Sequence, residues 1–402
     1  GSITINNPIN TAGITSVTLG TSNFVAGVNA GNSITSGGNY NTTVGDEAGT
    51  AITTGDNNVA VGYTALDANT TASNNTAVGT SALTANTTGA SNSALGQNAL
   101  AANTTGQQNT ASGFESLKAN TTGQNNISTG FQSLLSNTTG NDNCAVGVQA
   151  LRDNTTAGNN TGIGAFALRV NTTGTSNTAV GWSALQDNTT GTDNTAVGVL
   201  ALENTTTGVN NTGMGRSALA ANTTGGQNTA IGYQALIANT ASDNTATGFN
   251  ALYTNTTGTL NVANGWRALY YNTTGSDNVA VGFKSLYSNT TGANNTAVGN
   301  QASNDNTTGT QNVAVGYQAF TNGTTGSYCT AIGVSALQAV VTGDNNTAIG
   351  RKAMYDNTSG ANNTAVGNAA LGNNTTGVNN TAVGSSALVA CTTGGANAAV
   401  GQ

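Results

Sequence analysis

Apolar and polar residues follow one another along this chain in a fixed order that repeats every 17 residues. Residues 63–79, YTALDANTTASNNTAVG, show the repeat clearly. Its closing glycine recurs from Gly45 to Gly401 at this spacing, except for one 16-residue step between Gly232 and Gly248. Numbered from the residue after each closing glycine, the consensus is x-x-A-L-x-x-N-T-T-G-x-x-N-T-A-V-G. A fixed period of this kind is typical of proteins built from stacked repeats.

The 17 columns of the repeat predict its secondary structure. Columns 13–16 (Asn-Thr-Ala-Val) predict a short strand and columns 3–4 (Ala-Leu) the start of a second, with Val of column 16 and Leu of column 4 pointing inward. Asn-Thr-Thr-Gly in columns 7–10 is turn chemistry, and stacked turns would align Asn and Thr in ladders. A helix in columns 1–6 is the alternative, but six residues are too few for a stable one. The predicted fold class is therefore all-β: a parallel β-solenoid, or β-roll, of about 22 seventeen-residue turns.

Charge divides the columns into two groups. All 8 basic and all 15 acidic residues fall in columns 1, 2, 5, 6, 11 and 12, so the charge-free columns predict the interior and the turns. The net charge of −7 gives no indication of a basic surface that could bind nucleic acid. No apolar run approaches the roughly 18–20 residues that cross a membrane. We expect neither nucleic-acid binding nor membrane insertion.

The chain divides unevenly into two predicted parts. Residues 1–44 are interpreted as a strand-rich N-terminal cap or junction that ends in a degenerate, 18-residue repeat, and residues 45–402 as the regular array. The first 20 residues alternate Ile, Val and Leu with polar residues, which predicts a short strand able to cover an open sheet edge. Because the chain stops one residue into a new repeat, we expect it to be a fragment or a processed product.

Two apolar residues stand side by side in columns 3–4 and again in columns 15–16, so both faces of each short strand are apolar. A lone solenoid needs only one buried face per strand. Packing of identical chains under cyclic symmetry could cover the other, alanine face. We therefore expect an oligomer of this chain.

The residues needed for catalysis are missing from the sequence. There is no histidine, which is the commonest general base and metal ligand. The acidic residues form no repeated pair, so we expect no enzymatic activity, no catalytic residue, no metal site and no cofactor. Cys144, Cys329 and Cys391 lie in different columns many repeats apart, so we expect free thiols that replace Thr or Asn.

Aromatic residues concentrate in column 1, beside columns that accept charge. They are candidates for partner-binding residues: Phe114, Phe131, Trp182, Tyr233, Phe249, Trp266, Phe283 and Tyr317. They could form a discontinuous stripe that stacks on cell-surface glycans. The alternative is a packing stripe at the corner of the roll or between chains.

The motif Asn-Thr-Ala-Val-Gly followed by Ala-Leu, as in residues 75–79 and 82–83, resembles the head repeats of YadA-type trimeric autotransporter adhesins. With Asn-Thr-Thr-Gly inserted, the longer repeat is similar to repeats in phage tail-fibre proteins, and residues 45–66, GDEAGTAITTGDNNVAVGYTAL, match that group best. The resemblance covers about residues 45–402. It implies a parallel β-roll in which three chains pack around a common axis.

Three functions are consistent with this pattern. The first is a non-enzymatic fibre or adhesin segment, a rigid homotrimeric shaft of a viral tail fibre or surface adhesin, extracellular or on the virion surface. It would take part in host or surface attachment, with a cell-surface glycan or receptor as the partner. The second is a subunit of an open-ended extracellular filament. The third is an ice-binding solenoid, in which Thr of columns 8, 9 and 14 would order water.

Overall fold

The computed structural model describes residues 19–401, and the chain divides into two compact units, Gly1–Asp193 and Asn194–Gln402. Each unit is a parallel β-solenoid of three-residue strands, and residues 19–401 contain no helix. The predicted all-β solenoid of about 22 turns of 17 residues is confirmed. Most of the strand predicted in the first 20 residues lies outside the described residues.

The strands recur once per turn in both units. The N-terminal unit contains β1 (Phe24–Ala26), β2 (Thr42–Val44), β3 (Val59–Val61), β4 (Thr76–Val78), β5 (Ser93–Leu95), β6 (Thr110–Ser112), β7 (Ile127–Thr129), β8 (Cys144–Val146), β9 (Thr161–Ile163) and β10 (Thr178–Val180). The C-terminal unit contains β11 (Thr195–Val197), β12 (Thr212–Met214), β13 (Thr229–Ile231), β14 (Thr245–Thr247), β15 (Val262–Asn264), β16 (Val279–Val281), β17 (Thr296–Val298), β18 (Val313–Val315), β19 (Thr330–Ile332), β20 (Thr347–Ile349), β21 (Thr364–Val366), β22 (Thr381–Val383) and β23 (Ala398–Val400).

Within each unit, every strand pairs in parallel with the next strand of the chain, and equivalent columns lie side by side. Ala77 of β4, for example, is paired with Ala94 of β5. The 16-residue step does not disturb this register, because Thr229 is paired with Thr245. The carbonyl of Ala241 accepts hydrogen bonds from asparagine side chains of its own turn and of the preceding one, as the column-10 carbonyl does elsewhere. The deletion is therefore absorbed in the turn at column 9.

Six columns point into the core: 3, 4, 7, 10, 13 and 15. In residues 63–79 the buried side chains are Ala65, Leu66, Asn69, Ala72, Asn75 and Ala77. The prediction for column 4 is confirmed, but that for column 16 is wrong. Because side chains alternate along a strand, the fully buried Ala77 leaves its neighbours Thr76 and Val78 on the outer side of β4.

The small side chain in column 15 follows from the distance between the strand and the leucine of column 4. At two turns column 15 is glycine, and an added Cβ would lie 3.3 Å from Cγ of Leu151 at Gly162 and 3.1 Å from Cγ of Leu202 at Gly213. A methyl group fills this space, and a larger side chain would displace the leucine. The strand therefore turns its alanine inward and its valine outward.

Columns 1–6 form turns, so the second strand predicted at columns 3–4 is wrong. Columns 2 and 4 both have left-handed backbone, as at Ser81 (φ 55°) and Leu83 (φ 51°). β-branched residues are disfavoured in that region. From Leu66 to Leu388 column 4 accordingly carries leucine, with Ser303, Phe320 and Met354 as exceptions.

The closing glycine of each turn is required by close contact between turns. Gly79 has φ 136°, and a Cβ there would lie 2.6 Å from the carbonyl carbon of Gly96 in the next turn. Only glycine accepts both the backbone angle and the short distance.

Two ladders of buried asparagines join successive turns. In column 13, the backbone N–H of Asn75 donates to Oδ1 of Asn58 (3.0 Å), and its Nδ2 donates to the carbonyl of Gly89 (3.0 Å). In column 7, Nδ2 of Asn137 donates to Oδ1 of Asn120 (2.9 Å) and to the carbonyl of Gly140 (3.0 Å). Each amide therefore satisfies backbone groups that the thin apolar core cannot.

We expect Asn137→Ala to lower the free energy of unfolding by about 2–3 kcal/mol, because Oδ1 of Asn120 and Nδ2 of Asn154 would both lose a buried partner. The measurement is the urea midpoint of the unfolding transition. Thr139→Ala, in the exposed column 9 of the same turn, is the matched control. Equal midpoints for the two variants would contradict a stabilising role for the ladder.

The turn of residues 317–333 shows a compensated exchange in the core. Phe320 replaces the column-4 leucine, and Gly323 replaces the column-7 asparagine. An added Cβ at Gly323 would lie 2.5 Å from Cζ of the Phe320 ring, so the ring occupies the space of the missing amide. Oδ1 of Asn306, whose ladder neighbour would be residue 323, has no hydrogen-bond partner among the described residues.

We expect Gly323→Asn alone to destabilise the protein by about 1–3 kcal/mol through overpacking, and Phe320→Leu alone to destabilise it by leaving a cavity. The double variant restores the consensus pair and should lose less stability than the two single losses added together. Thermal unfolding of the four proteins measures this coupling. Additive losses would show that the ring and the missing amide do not compete for one space.

Candidate functional site

The eight column-1 aromatic residues named as candidates all lie at the surface of their units, between 36% and 50% exposed. The structure brings six of them together in two groups. Phe114 stacks on Phe131 in the N-terminal unit, with ring centroids 5.6 Å apart. Trp182 and Tyr317 have no aromatic residue in column 1 of the neighbouring repeats and lie outside both groups.

The larger group is a stack of four rings in the C-terminal unit. Tyr233, Phe249, Trp266 and Phe283 follow one another in successive turns, with centroid separations of 5.2, 6.2 and 4.9 Å. Their planes deviate from parallel by 7° to 11°. Each inner ring therefore has an aromatic neighbour on both sides.

A second stack occupies column 5 of the same turns and was missed by the sequence prediction. Tyr253 lies 5.0 Å from Tyr270, and Tyr270 lies 5.4 Å from Tyr287, measured between ring centroids. Tyr271, in column 6, packs edge-on against Tyr270 and Tyr287. A search of column 5 for aromatic residues at the 17-residue spacing would have found this stack.

Two cationic side chains lie between the stacks. The guanidinium carbon of Arg267 is 4.4 Å from the Trp266 ring centroid and 5.2 Å from that of Tyr270. Nζ of Lys284 is 4.9 Å from the centroid of Tyr287 and also lies near Trp266 and Phe283. Such cation–π contacts hold both side chains against the surface.

Within the described part of the chain, neither cation has an acidic partner. The ion pairs found within residues 19–401, Lys118–Glu115 and Arg152–Asp153, both belong to the N-terminal unit. A hydrogen bond to Tyr287 raises the pKa of the exposed Tyr271 phenol, which therefore remains protonated at neutral pH. We call the following residues the aromatic patch: Tyr233, Phe249, Tyr253, Trp266, Arg267, Tyr270, Tyr271, Phe283, Lys284 and Tyr287.

The outer sides of the strands form a second surface feature, which we call the strand face; it consists of the side chains of columns 14 and 16. Column 16 is mostly Val or Ile, and Ile163, Ile231 and Ile332 are each 38–40% exposed. Column 14 is mostly threonine or valine. Apolar side chains thus face solvent at the same place in most turns of each unit.

The threonines proposed to order water differ in how their hydroxyls are used. In column 8 the hydroxyl donates to the backbone of the next turn, as from Thr104 to the carbonyl of Thr121 (3.1 Å). Column 9 is mostly exposed. Column 14 lies on the strand face and carries threonine in most turns and valine in some others. The column-8 hydroxyls are therefore already committed to holding turns together.

The three cysteines are free thiols, as predicted. Cys144 lies on the strand face in column 14, whereas Cys329 and Cys391 replace ladder asparagines in columns 13 and 7. Burial raises the pKa of Cys329 to about 11, and burial also raises the pKa of Cys144.

No group of three acidic or cysteine side chains within residues 19–401 is arranged to hold a metal ion. In the same part of the chain, no helix has the length and hydrophobicity to cross a membrane. No family model matches the chain, and no curated protein is significantly similar to it.

We expect a thiol reagent at pH 8 to label Cys391 and to leave Cys329 unmodified in the folded protein. Cys329 is 1% exposed and its thiolate is scarce at that pH, because its pKa is about 11. Mass spectrometry of peptides after labelling measures the difference, and labelling in denaturant is the control. Rapid modification of Cys329 in the folded protein would contradict the buried position.

Proposed function

We propose that this chain is a non-enzymatic structural segment of an extracellular or virion-surface fibre or adhesin, assembled as a homotrimer and involved in attachment. The strand face carries the proposal. Its column-16 side chains, mostly valine and isoleucine, form a partly exposed apolar stripe at one position of most turns. A recurrent stripe of this kind suits contact with identical copies under cyclic symmetry.

The resemblance of the repeats to YadA-type adhesin heads and to phage tail-fibre proteins supports three copies rather than two. The face that would meet the other chains differs from the one expected from the sequence. Column-15 alanine is buried inside each solenoid, so the valine side of the strand, and not the alanine side, is available for the contact.

The absence of histidine from the sequence supports a non-enzymatic role. The net charge of −7 disfavours nucleic acid as a partner. A subunit of an open-ended filament remains the competing assembly, and a concentration-dependent mass distinguishes it from a closed trimer.

We expect light scattering to give three times the 39.4 kDa chain mass, about 118 kDa. Val281→Glu combined with Val298→Glu should shift the mass toward the monomer, because carboxylates of all three chains would be buried together. The matched control is Ala293→Glu with Thr310→Glu, which places the same charges in column 11, where acidic residues occur naturally.

A monomeric wild-type chain, or equal masses for the two double variants, would contradict assembly through the strand face. A broad mass that grows with concentration would favour the filament. Labelling of Cys144 gives an independent readout, since assembly through the strand face should protect this thiol while Cys391 remains reactive.

A further inference from the structure

We propose that the aromatic patch binds an acidic polysaccharide, through carboxylate or sulfate groups held by Arg267, Lys284 and the neighbouring phenols. The inference rests on the proposed attachment function and specifies its ligand. It differs from the stacking of sugars on exposed ring faces that the sequence suggested.

Ring geometry disfavours a neutral sugar. Phe249 and Trp266 each have a near-parallel ring on both sides, so their faces are occupied by other rings. Arg267 and Lys284 lie against the remaining surface of Trp266. The inner rings therefore present mainly their edges to solvent. Aromatic edges carry the positive end of the ring quadrupole and attract anionic oxygen atoms.

The polar groups of the patch can donate hydrogen bonds to an anionic ligand. The guanidinium of Arg267 and the ammonium of Lys284 can only donate, and no carboxylate of residues 19–401 neutralises either one. The phenol of Tyr271, hydrogen-bonded to Tyr287, is 45% exposed. Ring edges, phenols and cations thus all favour an anionic, hydrogen-bonding ligand.

The nearest acidic residues in sequence do not offset this charge. In the turns that form the patch, residues 233–299, the acidic side chains are Asp243 and Asp277, and both occupy column 12. Asp305, in column 6 of the following turn, accepts a hydrogen bond from Nδ2 of Asn304. Column 12 precedes the strand, whereas column 1 of the patch follows it. The patch is therefore locally positive in a chain whose net charge is −7.

The spacing of the two cations suits a linear, repeating ligand. Arg267 and Lys284 occupy column 2 of successive turns, so their backbones are separated by one strand spacing, about 4.8 Å. An acidic polysaccharide carries one charge per sugar or per disaccharide along an extended chain. A nucleic acid, with its denser phosphates, would require a more extensive basic surface than two side chains.

The test compares binding of the full chain to immobilised alginate, chondroitin sulfate, neutral dextran and single-stranded DNA. Arg267→Gln combined with Lys284→Gln should weaken binding to the acidic polysaccharides at least about tenfold, because charged hydrogen bonds are lost. Alginate carries carboxylates alone, whereas chondroitin sulfate carries both carboxylates and sulfates, so stronger binding to chondroitin sulfate would indicate sulfate recognition. Tyr271→Phe, which keeps the ring and removes one hydroxyl, should weaken binding less.

The matched control is Arg351→Gln with Lys352→Gln, which removes two exposed cations from columns 1 and 2 of another turn in the same unit. Lys352 contacts a single ring, Tyr355, in contrast to the double stack around Lys284. Equal weakening by both double variants would overturn the proposal in favour of unspecific attraction. Stronger binding to dextran or to DNA than to the acidic polysaccharides would also overturn it.

The outcome can be separated from that of the proposed function. Light scattering of each patch variant should give the wild-type mass, because the patch is distinct from the strand face. Trimeric chains without polysaccharide binding would overturn the ligand assignment alone. Polysaccharide binding by a monomeric chain would overturn the assembly and leave the patch assignment standing.

Discussion

Buried asparagine amides hold successive turns of this protein in register. The core of one turn contains little more than one leucine and two alanines, which is too little apolar volume to exclude water from a backbone that turns so often. The amides of columns 7 and 13 provide the donors and acceptors that the backbone lacks. Because each amide bonds both to its counterpart one turn away and to a glycine carbonyl, neighbouring turns must keep the same register. A change of register would leave a row of buried polar groups unsatisfied.

This constraint explains which changes the repeat accepts. The one-residue deletion falls in column 9, which faces solvent, and the carbonyl of Ala241 still accepts both amides. Where the column-7 ladder is interrupted at Gly323, a larger ring at Phe320 fills the space. Variation is therefore tolerated where a turn faces solvent, or where a larger core side chain fills the volume left by a smaller neighbour.

Periodicity was sufficient to predict the solenoid, the inward leucine and a strand in columns 13–16, which the structure places in columns 14–16, because these depend on which residues recur. It could not determine which side of the strand is inside. Both Ala and Val of columns 15 and 16 are apolar, and the choice depends on the space left beside Leu of column 4, which only the folded turn defines. The repeat pattern also could not predict the turn in columns 1–6, because leucine in left-handed backbone is uncommon and Ala-Leu ordinarily indicates regular structure. The column-1 aromatics were visible at the 17-residue spacing. The partner stack of Tyr253, Tyr270 and Tyr287 lies in column 5, which in the other turns is mostly non-aromatic, with Tyr355 as an exception.

The two surface features differ in a way that relates to their proposed roles. An assembly of identical chains in register requires a similar contact at most turns, and a column of largely constant character such as column 16, mostly valine or isoleucine, can provide it. Recognition of a foreign ligand instead requires a local departure from the repeat. Columns 1, 2, 5 and 6 are free to vary because they contribute no side chain to the asparagine ladders. The aromatic patch is such a departure, in which four successive turns combine stacked rings with two unpaired cations. In a stacked-repeat protein, uniform outward columns are therefore suited to assembly and variable outward columns to specificity.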